Sequence, residues 1–382
     1  MAHVPDVREL PDLAERVAAA GRHAGLAAVG VAPAVTFHRA RRVIEHRKRL
    51  GFHGGMHFTY GDPVRATDPR RLLPGARSLV VGAWSYRRED PPPPPDADRP
   101  AGRVARYSWH DHYADLRAAL GTMAGVLERD GWRARVVADD NGLVDREAAY
   151  RAGLGWYGKN ANLLLPGMGS WFVLGAVVTD APLPASAAPV PDGCGACTRC
   201  LDACPTGAIV APGVVDARRC LAWLVEAPGW FPAGLRAALG DRVYGCDDCQ
   251  EVCPPNRAAD RHAPPPPAAP DDEAWVALVE LLEASDADLV ERFGRWYIPR
   301  RQGRYVRRNA LVALGNVGDG SDPRVVETLR GALTDPDPLI RGHAVWAAAR
   351  LGLAAMAAST LAGEDDLGVL AELDAVAAGT GS

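Results

Sequence analysis

Eight cysteines lie between residues 194 and 253, and the chain has none elsewhere. The first run reads Cys194-x2-Cys197-x2-Cys200-x3-Cys204-Pro205. The second reads Cys246-x2-Cys249-x3-Cys253-Pro254, and Cys220 stands between the two. Four thiolates at this spacing hold one 4Fe–4S cluster, so eight hold two with none left over. Where two such runs occur in one chain, the last cysteine of each crosses to the other cluster. Val243 occupies the place where the second run would need its first cysteine, and Cys220 is the natural replacement. The expected sets are Cys194, Cys197, Cys200 and Cys253 for one cluster, and Cys204, Cys220, Cys246 and Cys249 for the other. Zinc sites come as two separated CxxC pairs, and disulfide frameworks belong to short secreted chains. Neither describes this pattern.

Clusters move one electron each, so two in series imply delivery to a cofactor or substrate held elsewhere in the chain. Gly153-x-Gly155-x-x-Gly158 matches a dinucleotide fingerprint literally. Its context is wrong, because a helical pattern (145–152) precedes it and an apolar run (162–165) follows, whereas the fingerprint must follow a strand and open a helix. These glycines serve either close approach to a bulky ligand or a tight connection. No GxxxxGK[ST] phosphate loop is present, and no Asp-x-His-x-x-Gly pattern offers a histidine to cobalt. His53 and His57 have no defensible ligand spacing.

The elements that must position this chemistry fall into three stretches. Residues 1–190 alternate helical patterns (10–21, 113–129) with strand patterns (26–31, 78–84, 135–138, 171–179), which predicts an α/β layer domain. The five prolines 91–95 read as a surface loop inside it, not as a boundary. A ferredoxin-like insert carrying both clusters spans 191–260. Pro264–Pro267 reads as a linker opening the last stretch, 261–382. There Val306-Arg-Arg-Asn-Ala-Leu-Val-Ala313 and Ile340-Arg-Gly-His-Ala-Val-Trp-Ala347 repeat at an offset of 34, with an Asp-Pro-Asp-Pro turn (335–338) between them. That period suggests a short HEAT-like stack of helices; a generic helical bundle is the alternative. The chain of 382 residues is long enough for such domains, and no apolar stretch approaches the ~20 residues needed to span a bilayer. With no apolar core in Met1-Ala-His-Val-Pro-Asp, a soluble cytoplasmic protein is expected.

A net charge of −4 gives no overall pull toward nucleic acid, but charge is segregated. Seven carboxylates and no Lys or Arg lie between Pro264 and Val290. Seven arginines (292, 295, 300, 301, 304, 307, 308) follow, interleaved with Trp296, Tyr297 and Tyr305. Guanidinium groups beside aromatics suit phosphate contact with base stacking; a solvated helix face is the plainer reading.

The cysteine runs, Asp216-Ala-Arg-Arg-Cys220, Asp145-Arg146, Ala152-Gly-Leu-Gly-Trp-Tyr-Gly-Lys-Asn160, Gly169-Ser-Trp-Phe172 and Leu72-Leu-Pro-Gly-Ala-Arg77 together resemble the epoxyqueuosine reductases, over roughly residues 50 to 255. The resemblance implies a base-off cobalamin held by the α/β core, two 4Fe–4S clusters feeding it, and an epoxide on the wobble nucleoside of tRNA as substrate. It implies a proton-donating acid a few residues before Asp145-Arg146. Ungapped counting puts Asp139 there and a one-residue deletion puts Asp140 there, although either could simply cap the turn. It places Lys159, Asn160 and Ser170, with Asp139, beside the corrinoid; on the charge segregation above, Arg300, Arg301, Arg304, Arg307 and Arg308 are the residues expected to meet the anticodon stem-loop. The resemblance further implies a monomer served by an external low-potential donor of flavodoxin or ferredoxin type, with no membrane contact. In Trp109-His-Asp-His-Tyr113 the family's order is altered, so no role passes to Asp111 or His112. A small-molecule corrinoid reductase, like the reductive dehalogenases, is the alternative.

Overall fold

The computed structural model describes residues 10–95, 100–186 and 189–379. The N-terminal stretch inspected for a signal core lies outside them. Two compact units emerge. One comprises residues up to Glu89, Asp111–Arg218 and Asp248–Pro266, and the other Asp90–His110, Arg219–Asp247 and Pro267 onward. The expected three linear stretches are thereby redrawn, and the chain changes unit at the first proline run as well as the second. Hydrogen bonding explains why. Arg242–Tyr244 pairs in parallel with Ala101–Val104, which pairs antiparallel with Trp275–Ala277. This three-stranded sheet holds sequence-distant segments in the second unit.

The first unit is built on a four-stranded sheet of β1 (Ala28–Pro33), β2 (Ser78–Ser85), β3 (Ala134–Ala138) and β4 (Phe172–Thr179), in the order β1-β2-β4-β3. Every pairing is antiparallel, with Ser78 opposite Thr179 at one end of the central pair and Ser85 opposite Phe172 at the other. The layered α/β expectation holds, although hydrophobic period alone does not report strand direction. In α1 (Leu10–His23), Leu10, Leu13, Val17 and Gly21 recur every three or four residues, so one stripe is buried. This helix packs on α3 (His112–Arg129), which covers one face of the sheet; α2 (His38–Arg49) lies in the long connection from β1 to β2. Leu79, Val81 and Ala83 of β2 join Leu174, Ala176 and Val178 of β4 in a cluster with Ala148 and Ala149 of α4 (Asp145–Arg151). Covering both faces is why β2 and β4 read as unbroken apolar runs. The chain leaves β3 at Ala138 directly into the 139–144 loop.

The second unit is mainly helical: α5 (Arg304–Val317), α6 (Pro323–Leu333), α7 (Pro338–Arg350), α8 (Ala354–Thr360) and α9 (Leu367–Ala377). The 34-residue repeat places its two copies in α5 and α7, which pack together. Asp322 and Asp337 are N-caps whose carboxylates accept from Arg324 N and Leu339 N, each followed by Pro at the first helical position. The Asp-Pro pairs therefore set the helix starts.

Part of the segregated charge is paired from one block to the other, and further arginines find acids elsewhere. Glu273 accepts from Arg292 at 2.9 Å and also pairs with Arg295. Arg307 bridges Asp286 (2.8 Å) and Asp335 (2.6 Å), and Arg304 lies 3.0 Å from Asp337. Trp296 and Tyr305 are buried. Arg308, expected on tRNA, is instead fully buried. Its guanidinium donates to the carbonyls of Ala227 and Gly229 at 2.7 Å, Leu224 at 3.0 Å and Val225 at 3.2 Å. Burial pulls its pKa down to about 9, still charged at neutrality. Asn309 adds bonds to the carbonyls of Val225 and Val243. These two side chains fasten the turns just after Cys220 and just before Cys246 to α5. Arg308→Ala leaves four carbonyls without this donor, at about 1–3 kcal/mol for each that stays unpaired. We predict a loss of at least about 3 kcal/mol, read as a lower urea midpoint.

Candidate cluster and proton-donor sites

All eight cysteines are free thiols. Cys194, Cys197, Cys200 and Cys253 line a single cavity in the first unit, with Gly193, Lys159, Asn160 and Leu164 among its other walls. Cys204, the fourth cysteine of the first run, is not among the lining residues; its Sγ accepts from Ala208 N at 3.2 Å. The cavity thus brings together the crossed set expected from spacing and not the contiguous run. Four thiols converging on one space fit a 4Fe–4S cluster. Trp156 packs in the same apolar cluster as Cys253 and Cys194, and its buried indole N–H finds no partner among the described residues. Burial pushes the Cys253 thiol up to about 11, so thiolates here need a cationic centre to stabilise them.

The walls are held by side-chain bonds to the cysteine loops. Lys159 Nζ donates to the carbonyls of Gly195 (2.6 Å) and Cys197 (2.8 Å). Asn160, buried, donates to the Cys249 carbonyl at 3.3 Å and accepts from Asn162 N. Ser170, also buried, donates to Gln250 Oε1 at 2.9 Å and its N–H to Asn256 Oδ1 at 2.6 Å; Tyr86 reaches the same Gln250 oxygen at 3.3 Å. A Cβ on Gly169 would lie 1.9 Å from Asn256 Oδ1, so the motif's glycine is what lets this bond form. Lys159, Asn160 and Ser170, expected beside a corrinoid, therefore spend their polar atoms bracing cysteine loops. Sequence reasoning missed Gln250 and Asn256, whose place within four residues of the second cysteine run was the available signal.

The Gly153-Gly158 stretch is a tight connection. Trp156–Tyr157 pairs with Leu163–Leu164, and a Cβ on Gly155 would come 2.0 Å from the Leu164 carbonyl oxygen. The stretch that matches the dinucleotide fingerprint leads into a short antiparallel hairpin.

At the end of β3 the two candidate acids separate. Asp140 Oδ1 accepts from Gly142 N at 2.6 Å, and its carboxylate has Arg135 at 3.9 Å and Arg65 at 4.0 Å. It caps the turn. Asp139 has φ 53°, a left-handed conformation that aspartate tolerates at some cost, and no hydrogen bond or ion pair to its carboxylate occurs among the described residues. Its side chain keeps surface open to solvent, yet its pKa is raised above the usual carboxylate range. Partial desolvation by the surrounding protein is the largest cause; Arg117 opposes it, and Asp145, Asp111 and Asp140 reinforce it. Desolvation likewise raises Asp145 and Tyr113, the latter with help from Asp145 and Asp139. This neighbourhood favours protonated acids.

Comparison with known proteins adds the following. The profile of the epoxyqueuosine reductases (QueG, DUF1730) matches residues 66–140, that of the 4Fe-4S double cluster binding domain 193–256, and that of HEAT repeats 300–373. The epoxyqueuosine reductase of Bacillus cereus is 33% identical over 350 residues, covering 90% of each chain. A crystal structure of epoxyqueuosine reductase with an epoxyqueuosine-modified tRNA-Tyr stem loop superposes with TM-score 0.87 at 31% identity, covering 97% of this chain and 99% of that one. The Bacillus subtilis enzyme, with its aspartate catalytic loop swung out of the active site, gives TM-score 0.85 at 31% identity over 96% and 98%.

The crossed ligand sets make a prediction that single substitutions cannot. In Cys204→Ala/Cys220→Ala both losses fall on one cluster, so the purified protein should retain about half its iron. Contiguous sets would place one loss on each cluster and leave almost none, as read by iron assay after anaerobic reconstitution.

Proposed function

The chain belongs to the epoxyqueuosine reductase family, and we propose that it reduces epoxyqueuosine at the wobble position of tRNA to queuosine, with Asp139 as the proton donor. The observation that carries this reading is the presence, in one compact unit, of a four-cysteine cavity and a loop-borne carboxyl held toward its protonated form. Cys194, Cys197, Cys200 and Cys253 would hold one 4Fe–4S cluster, and the remaining four cysteines the other. When bound, these clusters and a base-off cobalamin supply low-potential electrons to the substrate.

Opening the epoxide to an alkene consumes two electrons and two protons and releases the oxygen as water. Asp139 gives a proton to the epoxide oxygen as its bond to carbon breaks, which requires the acid form near neutral pH. Its unpaired carboxyl is available for this, whereas that of Asp140 is engaged by Gly142 N. The left-handed φ of Asp139 breaks the strand at the end of β3, a conformation that carries a cost for a residue other than glycine. The loop-borne catalytic aspartate of the Bacillus subtilis enzyme supports a proton donor on this loop. Lys159, Asn160 and Ser170 act by holding the cysteine loops in register. The wobble nucleoside is unpaired in its loop, so turning it out of the stack costs little.

For tRNA, the arginine-rich segment offers less than its composition suggested. Arg300 and Arg301 remain exposed, in consecutive left-handed conformations (φ 53° and 56°), beside the exposed ring of Tyr297. Arg301 is steadied by the carbonyls of Gly294 and Val290, and Arg300 makes no hydrogen bond or ion pair among the described residues. These three side chains suit backbone and stacking contact with the anticodon stem-loop. No helix is long and apolar enough to cross a membrane among the described residues. An external flavodoxin- or ferredoxin-type donor, a monomeric state and a cytoplasmic setting complete the proposal.

Asp139→Asn should lower turnover by about 10²–10⁴-fold, the usual worth of a general acid, while iron content and stem-loop affinity stay unchanged. Asp140→Asn should keep most activity. Because the acid must be protonated, the unaltered enzyme should lose rate as pH rises through the raised pKa of Asp139. That pH limb should be absent from the residual activity of Asp139→Asn. The reverse ranking of the two variants would assign the role to Asp140.

A further inference from the structure

Helix α2 reads His-Arg-Ala-Arg-Arg-Val-Ile-Glu-His-Arg-Lys-Arg, with six Arg or Lys against the single Glu45. Four of the six hold the helix in place. Arg39 pairs with Glu147 at 2.8 Å, Arg41 donates to Thr67 Oγ1 at 2.9 Å, Arg47 to the Gly213 carbonyl at 2.5 Å and Lys48 to the Tyr60 carbonyl at 2.8 Å. The other two, Arg42 and Arg49, are exposed and make no hydrogen bond or ion pair among the described residues. Seven residues apart, they lie on one helix face, and exposed His38 and His46 continue the stripe at i−4 and i+4 from Arg42. The stripe spans about 16 Å at 1.5 Å per residue. A basic last turn suits the helix dipole and would explain Arg49; it does not explain Arg42 in the middle of the helix.

The turn that follows the stripe extends the same chemistry. Gly51, Gly54 and Gly55 all have positive φ, and a Cβ on Gly55 would meet nothing within 4 Å. His53 and Tyr60 pack their rings 5.6 Å apart, and His57 is exposed. The base of the turn is fastened, since the Phe52 carbonyl accepts from Ala217 N at 2.8 Å and Arg218 lies over the Phe52 ring. A fastened turn with an open glycine rim and aromatic rings, next to unpaired cations, has the ingredients of a nucleic-acid backbone contact. The same helix reaches, through Arg39 and Glu147, the α4 segment that follows the Asp139 loop.

We propose that the Arg42–His46–Arg49 face of α2 is a second RNA-contacting surface, taking phosphates of the anticodon arm whose wobble nucleoside is reduced. This rests on the tRNA reading above and adds to it a site in the first unit, distinct from the Tyr297–Arg301 segment. Phosphate neutralisation releases counterions, at a log–log salt slope of about 0.7–0.9 per contact.

The test is binding of a tRNA anticodon stem-loop to the cluster-loaded full chain, by anisotropy across a salt titration. Arg42→Ala/Arg49→Ala should weaken binding and flatten the slope by about 1.4–1.8, two contacts' worth. Iron content should be unchanged, and Arg42→Lys/Arg49→Lys should restore most of the slope. An alanine variant with unaltered affinity and slope overturns the surface while leaving the tRNA reading intact. Intact RNA binding with slower cluster reduction by a flavodoxin would also overturn it, assigning the stripe to an acidic protein donor. Failure of the unaltered chain to bind the stem-loop at all would overturn this surface and the tRNA reading together.

Discussion

A chain that takes iron on cysteines in irregular loops must satisfy the backbone of those loops some other way. Helix and strand ladders pair their own N–H and C=O groups, whereas loop carbonyls need donors brought to them, the more so the deeper they lie. Here regular or tightly connected elements send that donor as a side chain. Lys159 reaches the carbonyls of Gly195 and Cys197, Asn160 that of Cys249, and Asn256 that of Gln250. In the second unit Arg308 and Asn309 do the same for residues 224–229 and Val243. Positions that look like ligand contacts in the sequence hold the cysteine-bearing loops in place, a role that helps fix thiol geometry.

The same economy governs charge. Blocks of seven carboxylates and seven arginines, adjacent in sequence, invite a reading as separate surfaces. Folded, Glu273 and Asp286 from the first block take Arg292, Arg295 and Arg307 from the second. What a partner can meet is only the remainder, chiefly Arg300 and Arg301, which a strained turn presents to solvent. On α2 the balance differs, because one glutamate cannot neutralise six cations and two of them stay unpaired. Exposure and pairing, more than local composition, decide where an RNA backbone could be held.

Much of this was legible in the sequence because the signals are local. Cysteine spacing anticipated the set that shares one cavity. The apolar period placed β2 from Ser78 and α1 from Leu10, and Asp-Pro pairs marked the starts of α6 and α7. The missing parts are long-range. No periodicity reports that Arg242–Tyr244 pairs with Ala101–Val104, so the domain boundaries read from composition were too linear. The choice between Asp139 and Asp140 turned on a backbone conformation and one 2.6 Å bond to Gly142 N, neither visible in two adjacent aspartates. Arg308 has the same side chain as its exposed neighbours, and only packing reveals that it is buried.

The central claim is that this chain carries out the reduction its family is named for. Its most direct test is nucleoside mass spectrometry after incubating anaerobically reconstituted protein, cobalamin and a low-potential reductant with epoxyqueuosine-bearing tRNA. The account predicts loss of epoxyqueuosine and matching growth of queuosine, lighter by one oxygen. Epoxyqueuosine left untouched by protein that holds about eight irons and bound cobalamin would contradict it.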